Sequence, residues 1–402
     1  MTGVVDPFAP DALEDPYGLY DHLQREAPVT RLPGTDIWFV TRHADVAEAA
    51  NKPEVFSSNI SAVVYRGEGP NPVVLQADPD AIGAVDVLAT ADPPAHTMQR
   101  KLMNRMFVPA RINALEPQIR EIVAAAVDRA LETGTMEWMD DLSNPLPVNV
   151  ISTVLGLPPE DGDKLKSWGD AGVDLLSGVA PPERLGECWQ LMIGFLQYLR
   201  ERLAAPAEGS VTAEVADAVA RGDLSEREGV SLMLQLVIAG SESTASLMGS
   251  AVHMLASDRS LQDDLRAHPE KIGVFVEESL RLESPFRGHF RVAREAATLG
   301  GVEIPKGARL MLMWGAGNRD PQVFSCPADL DLARERPKQH LAFGIGPHFC
   351  LGAPLARLEA RIAVEELLAR AGSVQLTPDE KPRHHPSLFV RRFERLRLQL
   401  SR

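Results

Sequence analysis

Apolar residues recur at i, i+3 and i+4 in ALEPQIREIVAAAVDRALE and in CWQLMIGFLQYLRERLA, the spacing of helices that bury one face. That period holds almost throughout from His96 to about Leu203, with breaks expected at Pro109, Pro145, Pro158 and the Pro181–Pro182 pair. Nearer the amino end, PYGLYDHLQREAP predicts a short helix and IWFVTR, rich in aromatic and β-branched residues, a strand. Gly, Pro and Asp crowd the stretch from Asn59 to Ala91, which predicts a loop. A second helical pattern runs from Ser225 to Ser257; about 30 residues of helix span about 45 Å, so it must cross the core rather than lie on it. Beyond Pro285 the signals mix. FRVARE predicts a strand, GGVEIPKGARLML a hairpin with a Gly-Gly turn, and APLARLEARIAVEELLARAG a last helix with Gly372 as its left-handed cap. With no repeat and no low-complexity linker, the expectation is one domain over residues 1–402, mainly α with minor β.

One stretch breaks the pattern. VIAGSESTAS, Val237 to Ser246, puts a glycine, a carboxylate and the hydroxyls of Ser241, Ser243, Thr244 and Ser246 inside an otherwise apolar helix. Burying such groups without partners costs about 1–3 kcal/mol each. They must face solvent, satisfy one another, or line something that is not packed core.

Composition narrows the function classes. A net charge of −15 over 402 residues, with no offsetting basic block, argues against nucleic acid or an anionic membrane as main partner. Cys188, Cys326 and Cys350 are widely spaced, with no CxxC pair and no CxxCH, so neither structural zinc nor covalently attached haem is expected. So few cysteines fit a reducing compartment, and the acidic, proline-punctuated start MTGVVDPFAPDALEDPYGLY has no basic, apolar leader pattern. No run of 18 apolar residues appears, so no membrane anchor is expected and a cytoplasmic location is.

The strongest chemical signal is HLAFGIGPHFCLGAPLARLEA. Gly344, Gly346 and Gly352 let the backbone fold closely around Cys350, just ahead of an amphipathic helix whose amino end favours a thiolate. A rigidly held thiolate is a suitable axial ligand for a redox metal.

FGIGPHFCLG resembles the haem-ligand signature of the cytochromes P450, with Cys350 in the position of the iron-binding thiolate and Phe343 and Gly344 beside the haem. Other motifs follow in the family's order: EESLR supplies Glu278 and Arg281 of a Glu-x-x-Arg pair, and Arg334 in DLAR takes the third place in that ion-pair network. DPPAHTMQR matches the segment that meets the haem propionates. The resemblance covers nearly the whole chain, is closest to soluble bacterial members, and implies the P450 fold and haem b. It assigns His96, Arg100, Arg291 and His348 to the propionates, with His289 supporting them.

The resemblance also explains VIAGSESTAS. It places this helix over the distal haem face, with Ala239 and Gly240 letting it kink and leave room for oxygen. Glu242 and Ser243 take the acid–alcohol positions that deliver protons, their hydroxyls lining a water-bearing groove. Ser243 stands where the family usually has threonine and lacks the methyl that stiffens χ1; Thr244 could substitute only after a local rotation. Substrate contacts are expected from the Asn59–Ala91 loop, Leu175–Glu187, Val237, Ser241, the segment after Pro285, and Ser387–Val390 with Leu388 and Phe389. Arg287 would greet an acidic or polyoxygenated substrate, or pair with a neighbouring acid.

The implied activity is monooxygenation of an apolar or semi-polar small molecule. Oxidative coupling or peroxide-driven oxidation is the alternative on the same scaffold, and a non-catalytic haem sensor the reading outside enzymes. No fused flavin or iron–sulfur domain and no GxGxxG unit are apparent, so the resemblance implies an external ferredoxin and its reductase. Arg100, Lys101, Arg105, Arg111 and Arg357 would form their basic docking patch.

Overall fold

The computed structural model describes residues 6–59, 62–67, 72–76, 83–378 and 380–402. Among these, helices dominate and pack around one long helix, Glu226–Ser257. Its start is set by a capping box: the Ser225 hydroxyl accepts from the Glu228 N–H at 3.2 Å, and the Glu228 carboxylate accepts from the Ser225 N–H at 2.8 Å. The proline breaks are helix starts. Pro109, Pro145 and Pro182 each open a helix, where a missing N–H costs nothing.

The long helix joins two apolar cores. Val230, Leu232, Met233, Leu236 and Val237 pack with Phe195, Leu199 and Leu203 of the helix Pro182–Ala204 and with Val148 and Leu155 of Pro145–Leu155. Leu247, Met248, Ala251, Val252 and Leu255 pack instead with Phe275 and Leu280 of Ile272–Leu282 and with Leu358, Ile362 and Leu367 of Ala353–Arg370. The polar stretch falls at the seam between them.

A five-stranded sheet flanks the helices, in the order Val29–Arg31, Ile37–Val40, Arg309–Leu312, His289–Ala293, Phe56–Ser57. Arg309–Leu312 runs parallel to Ile37–Val40 and antiparallel to His289–Ala293. The Gly300–Gly301 turn does close a hairpin, but between Ala297–Leu299 and Val302–Ile304; the ARLML segment belongs to the larger sheet. Part of the expected Asn59–Ala91 loop also forms a hairpin, Ala62–Tyr65 with Val73–Gln76, followed by a short helical turn at Leu88–Thr90. Gly372 is not a left-handed cap. The last helix ends at Arg370 with an extended Ala371, and Gly372 is needed for space: a Cβ there would lie 2.8 Å from the Arg402 carbonyl carbon.

Glu278, Arg281 and Arg334 meet as a buried network. Glu278 accepts from Arg281 at 2.7 and 2.9 Å, from Arg334 at 2.8 Å and from the Asp331 N–H at 3.0 Å. Arg281, fully buried, also donates to the carbonyls of Asn318, Pro327 and Asp329. The helix Ile272–Leu282 is thereby fastened to the chain that leads into the Cys350 loop. Burial alone would raise the Glu278 carboxyl, but its bonds to Arg281 and Arg334 hold it below the ordinary value. Its stabilisation is therefore complete above the ordinary carboxylate range and is lost as acid protonates the folded state. Glu278→Ala, which leaves Arg281 buried without its partner, should lower the unfolding free energy by about 3–5 kcal/mol in urea titrations near neutrality. A loss below about 1 kcal/mol would show that water replaces the carboxylate.

Candidate active site

Cys350 sits in a turn closed by its own backbone. Its N–H donates to the Phe343 carbonyl at 2.8 Å, and Gly344 N–H donates to the Leu341 carbonyl at 2.8 Å. Gly344 and Gly346 have φ of 67° and 73°, left-handed conformations that side chains resist. A Cβ on Gly346 would also come within 2.5 Å of Asn51 Oδ1. Gly352 has an ordinary φ of −83°; it matters for its N–H, which with that of Ala353 points at the sulfur. Burial pushes the Cys350 thiol up, while these N–H groups and the guanidiniums of Arg100 and Arg357 pull it down. Among the described residues no cluster of three His, Cys, Asp or Glu could chelate an ion. A metal at this sulfur must therefore arrive inside a ligand that supplies its other donors.

Above Cys350 opens a deep, largely apolar cavity. The central helix presents Gln235, Leu236, Ala239, Gly240, Ser243, Thr244 and Leu247 to it, a single stripe at the helical period. Val237 and Ser241 lie on the opposite stripe. Val237 is core, and Ser241 faces Gly169 on the helix Gly162–Asp174, so neither reaches the cavity. The helix runs through Ala239–Gly240 without interruption, and Ile151 of the helix Pro145–Leu155 packs where a Gly240 Cβ would stand, 3.3 Å away.

The hydroxyls are satisfied locally. Ser241 donates to the Val237 carbonyl at 2.8 Å, Ser243 to Ala239 at 2.8 Å and Ser246 to Glu242 at 3.0 Å. Each is a back-bond one helical turn long, which removes the cost of burial. Ser243 keeps two acceptor lone pairs toward the cavity. Thr244 lines the same cavity with no local rotation of the helix. Glu242 does not line it. Its carboxylate lies 3.0 and 3.2 Å from Arg392, which also reaches Asp170 at 3.0 Å, and the acid of the acid–alcohol pair is tied away from the alcohol.

The four expected anion contacts gather on one rim. His96 and His348 lie with ring centroids 4.1 Å apart, and Arg100 and Arg291 line the cavity with them. Arg291 is buried with the Phe290 carbonyl as its hydrogen-bond partner and, among the described residues, no ion pair; burial lowers its pKa to about 10, so it stays cationic. A buried guanidinium that faces a cavity and pairs with no carboxylate among the described residues fits an anionic ligand. Burial, with Arg291 adding to it, lowers His348 to about 3, and burial with Arg100 lowers His96, so both offer neutral N–H donors until an anion arrives. These residues fit haem, which brings two carboxylates and the four remaining equatorial donors.

Arg287 is a correction. It is buried outside the cavity and donates to the carbonyls of Val390, Ala12 and Leu13, which leaves nothing for an acidic substrate. Leu388 packs against Phe8 and Tyr20, and Phe389 stands behind Phe286 with ring centroids 4.9 Å apart, so neither lines the cavity. The walls include Leu88 and Ala89 of the Asn59–Ala91 stretch and Pro285, Phe286 and His289 at the segment after Pro285, together with Pro147, Ile151 and Trp314. No residue from Leu175–Glu187 or Ser387–Val390 is among them. The sequence reading also missed Glu359, which lines the cavity with one carboxylate oxygen unpartnered and its pKa raised well above the ordinary value by burial. The signal was present: Glu359 continues the apolar stripe of Gly352, Leu355 and Ala356 on the last helix.

The docking patch is thinner than expected. Arg111 pairs with Glu214, Arg357 pairs with Glu277 at 2.6 Å, and Arg100 faces the cavity. Lys101 and Arg105 remain exposed, with the exposed Met98 close by in sequence, and Phe349, next to Cys350, is exposed as well.

Comparison with known proteins agrees with this geometry. The family model described as cytochrome P450 matches residues 273–399. Cytochrome P450 144 of Mycobacterium tuberculosis is 40% identical over 402 residues, covering 98% of this chain and 91% of the relative. Among solved structures, cytochrome P450 CREJ in complex with (4-ethylphenyl) dihydrogen phosphate superposes with a TM-score of 0.90 at 27% identity, covering 98% and 99% of the two chains. CYP109E1 from Bacillus megaterium in complex with testosterone gives 0.85 at 28%, covering 97% and 99%.

Arg392 bridges the buried Glu242 carboxylate and the half-exposed Asp170, and its removal tests how much Glu242 depends on it. Arg392→Leu should cost about 3–5 kcal/mol in chemical denaturation, with Glu242→Gln in the same background recovering more than about 1 kcal/mol. Strict additivity of the two substitutions would show that Glu242 and Arg392 do not interact.

Proposed function

We propose, since the chain belongs to the cytochrome P450 family, that it inserts one atom of oxygen gas into a neutral, largely apolar small molecule, with electrons from an external ferredoxin and its reductase. Family membership makes it a haem b oxidoreductase of the monooxygenase class. The observation that carries the finer reading is the facing pair of Cys350 and the small-residue stripe Ala239–Gly240–Ser243 across one apolar cavity. Bound there, haem supplies the redox chemistry of oxygen activation.

The residues of this chain hold and feed that group in distinct ways. Cys350 would hold the iron through its sulfur, the Gly352 and Ala353 N–H groups favouring the thiolate. Arg100, Arg291, His96 and His348 would hold the haem carboxylates, with Phe343 and Gly344 beside the sulfur. Glu278, Arg281 and Arg334 brace the chain that carries the loop. Ser243 passes protons at its hydroxyl, which must release the Ala239 carbonyl to donate and can accept from water without moving. Glu242 feeds that hydroxyl only when its link to Arg392 opens, which makes opening a step in proton supply. Apolar walls at Leu88, Ile151, Leu236 and Phe286 exclude bulk water.

The ligands named with structural relatives, a phenyl phosphate ester and testosterone, support a small-molecule substrate with a ring. Lys101 and Arg105 with Met98 and Phe349 support an acidic partner docking on the cysteine side. The whole chain acts as one domain, in the cytoplasm; the long apolar helix Glu226–Ser257, which could cross a membrane by length and composition, has 67% of its most apolar window buried within the fold.

Turnover of a substrate under isotopically labelled oxygen gas should place one labelled atom in the product. Label-free coupled product would favour oxidative coupling instead. Ser243→Ala should raise electron consumption without product, while Thr244→Val should leave the ratio near that of the parent. The reverse order would move the relay to Thr244, and unchanged coupling in both would remove it from this helix.

A further inference from the structure

His289 carries a hydrogen-bond donor that no described group uses. Its Nδ1 lies 2.7 Å from Trp314 Nε1, and an indole nitrogen can only donate. Nδ1 is therefore an acceptor, and the proton of the neutral imidazole sits on Nε2. Burial lowers the ring to about 3, so that tautomer persists through the physiological range. Among the described residues Nε2 has no partner, and it is not one of the fully enclosed unpaired atoms, so it opens on the cavity that His289 lines.

The surroundings of His289 are aromatic rather than cationic. Phe286 and Phe389 stand edge-on to it at centroid distances of 5.1 and 5.3 Å, and Trp314 at 6.0 Å. Arg291, on the same face of the strand two residues on, is about 7 Å further along. Arg291, His96 and Arg100 all bear on His348, whereas on His289 burial acts first and Arg291 is the one charged group that adds to it. The charged rim thus ends at Arg291 and an aromatic box begins at His289. This division sets His289 apart from the expected propionate contacts.

We infer that His289 is a substrate-anchoring residue whose Nε2–H binds a neutral oxygen acceptor, a ketone or hydroxyl, on a flat ring-containing substrate seated against Phe286. The inference rests on the monooxygenase reading and deepens it. A neutral imidazole offers a carboxylate no ion pair, and Arg287 is spent on backbone carbonyls. The cavity accordingly selects the ketone over both the hydrocarbon and the acid. A site built to donate one hydrogen bond rejects the analogue lacking the acceptor, because the buried donor is then left unpaired.

Calorimetric titration of the haem-loaded full chain with acetylnaphthalene, ethylnaphthalene and naphthoic acid of the same substitution tests this. The wild type should bind the ketone about 10-fold tighter than the hydrocarbon, with the acid weakest. His289→Phe should abolish the preference while hydrocarbon affinity stays within about 2-fold, which also shows that the cavity has folded. His289→Gln, which restores an N–H, should recover part of it. No ketone preference in the wild type, tighter binding of the acid, or a preference that survives His289→Phe would each overturn the assignment. Survival of the preference with less haem retained per chain would return His289 to the haem carboxylates. The carbon monoxide spectrum of the reduced wild type separates the two levels. Absence of the red-shifted thiolate band would sink the monooxygenase reading whatever the calorimetry, and its presence with no ketone preference would sink only the role of His289.

Discussion

Everything near the site depends on one helix having to serve two cores at once. Glu226–Ser257 buries its amino half among Phe195, Leu199 and Leu203 and its carboxyl half among Phe275, Leu358 and Ile362. Between those halves the two cores separate, and the helix bridges the gap. Large apolar side chains there would fill the space, whereas Ala239, Gly240 and Ser243 leave it open. The cavity is a consequence of how the cores part. Its floor is the Cys350 loop, held in place from the other side by the Glu278 network.

The loop faces an electrostatic conflict that a bound group must resolve. Burial disfavours the Cys350 thiolate, and two backbone N–H groups with two guanidiniums only partly oppose it. Arg291 faces the same cavity cationic and without a counter-ion. A metal on the sulfur and carboxylates on the rim relieve both strains together, and haem carries both. The pairing of an unmet negative preference at the floor with an unmet positive charge at the rim is more specific than either feature alone.

Much of this was legible in the sequence, and the division follows local against tertiary causes. The Cys350 turn, the Glu278–Arg281 pair and the boundaries of the long helix are written in short-range signals: glycines at left-handed positions, an i,i+3 ion pair, a capping box. The substrate wall was legible only in part: Leu88, Ala89 and Phe286 fall in segments the sequence singles out, but the helical contributions do not, because lining a cavity depends on which stripe of a helix faces it. Val237 and Ser241 share a stripe with each other but not with Gly240 and Ser243. Arg287 read as a free charge since its partners, Ala12, Leu13 and Val390, are remote in the chain. The Asn59–Ala91 stretch hid a hairpin because β-branched residues at Val63, Val64, Val73 and Val74 sit among many turn formers.

The polar residues that first looked out of place in the long helix prove to divide by function of position. Ser241, Ser243 and Ser246 return their protons to the helix itself, so their burial costs little and needs no water. Glu242, the one group that cannot be satisfied that way, is met from outside by Arg392, which also holds Asp170 on the helix Gly162–Asp174. One acid on the distal helix is therefore joined through one arginine to a second helix. A movement of Gly162–Asp174 away from the carboxyl-terminal segment would part Asp170 from Arg392 and leave that guanidinium to Glu242 alone. On the proposed relay, proton supply through Glu242 is therefore governed by Arg392, because a buried carboxylate cannot leave its counter-ion without exchanging it for water.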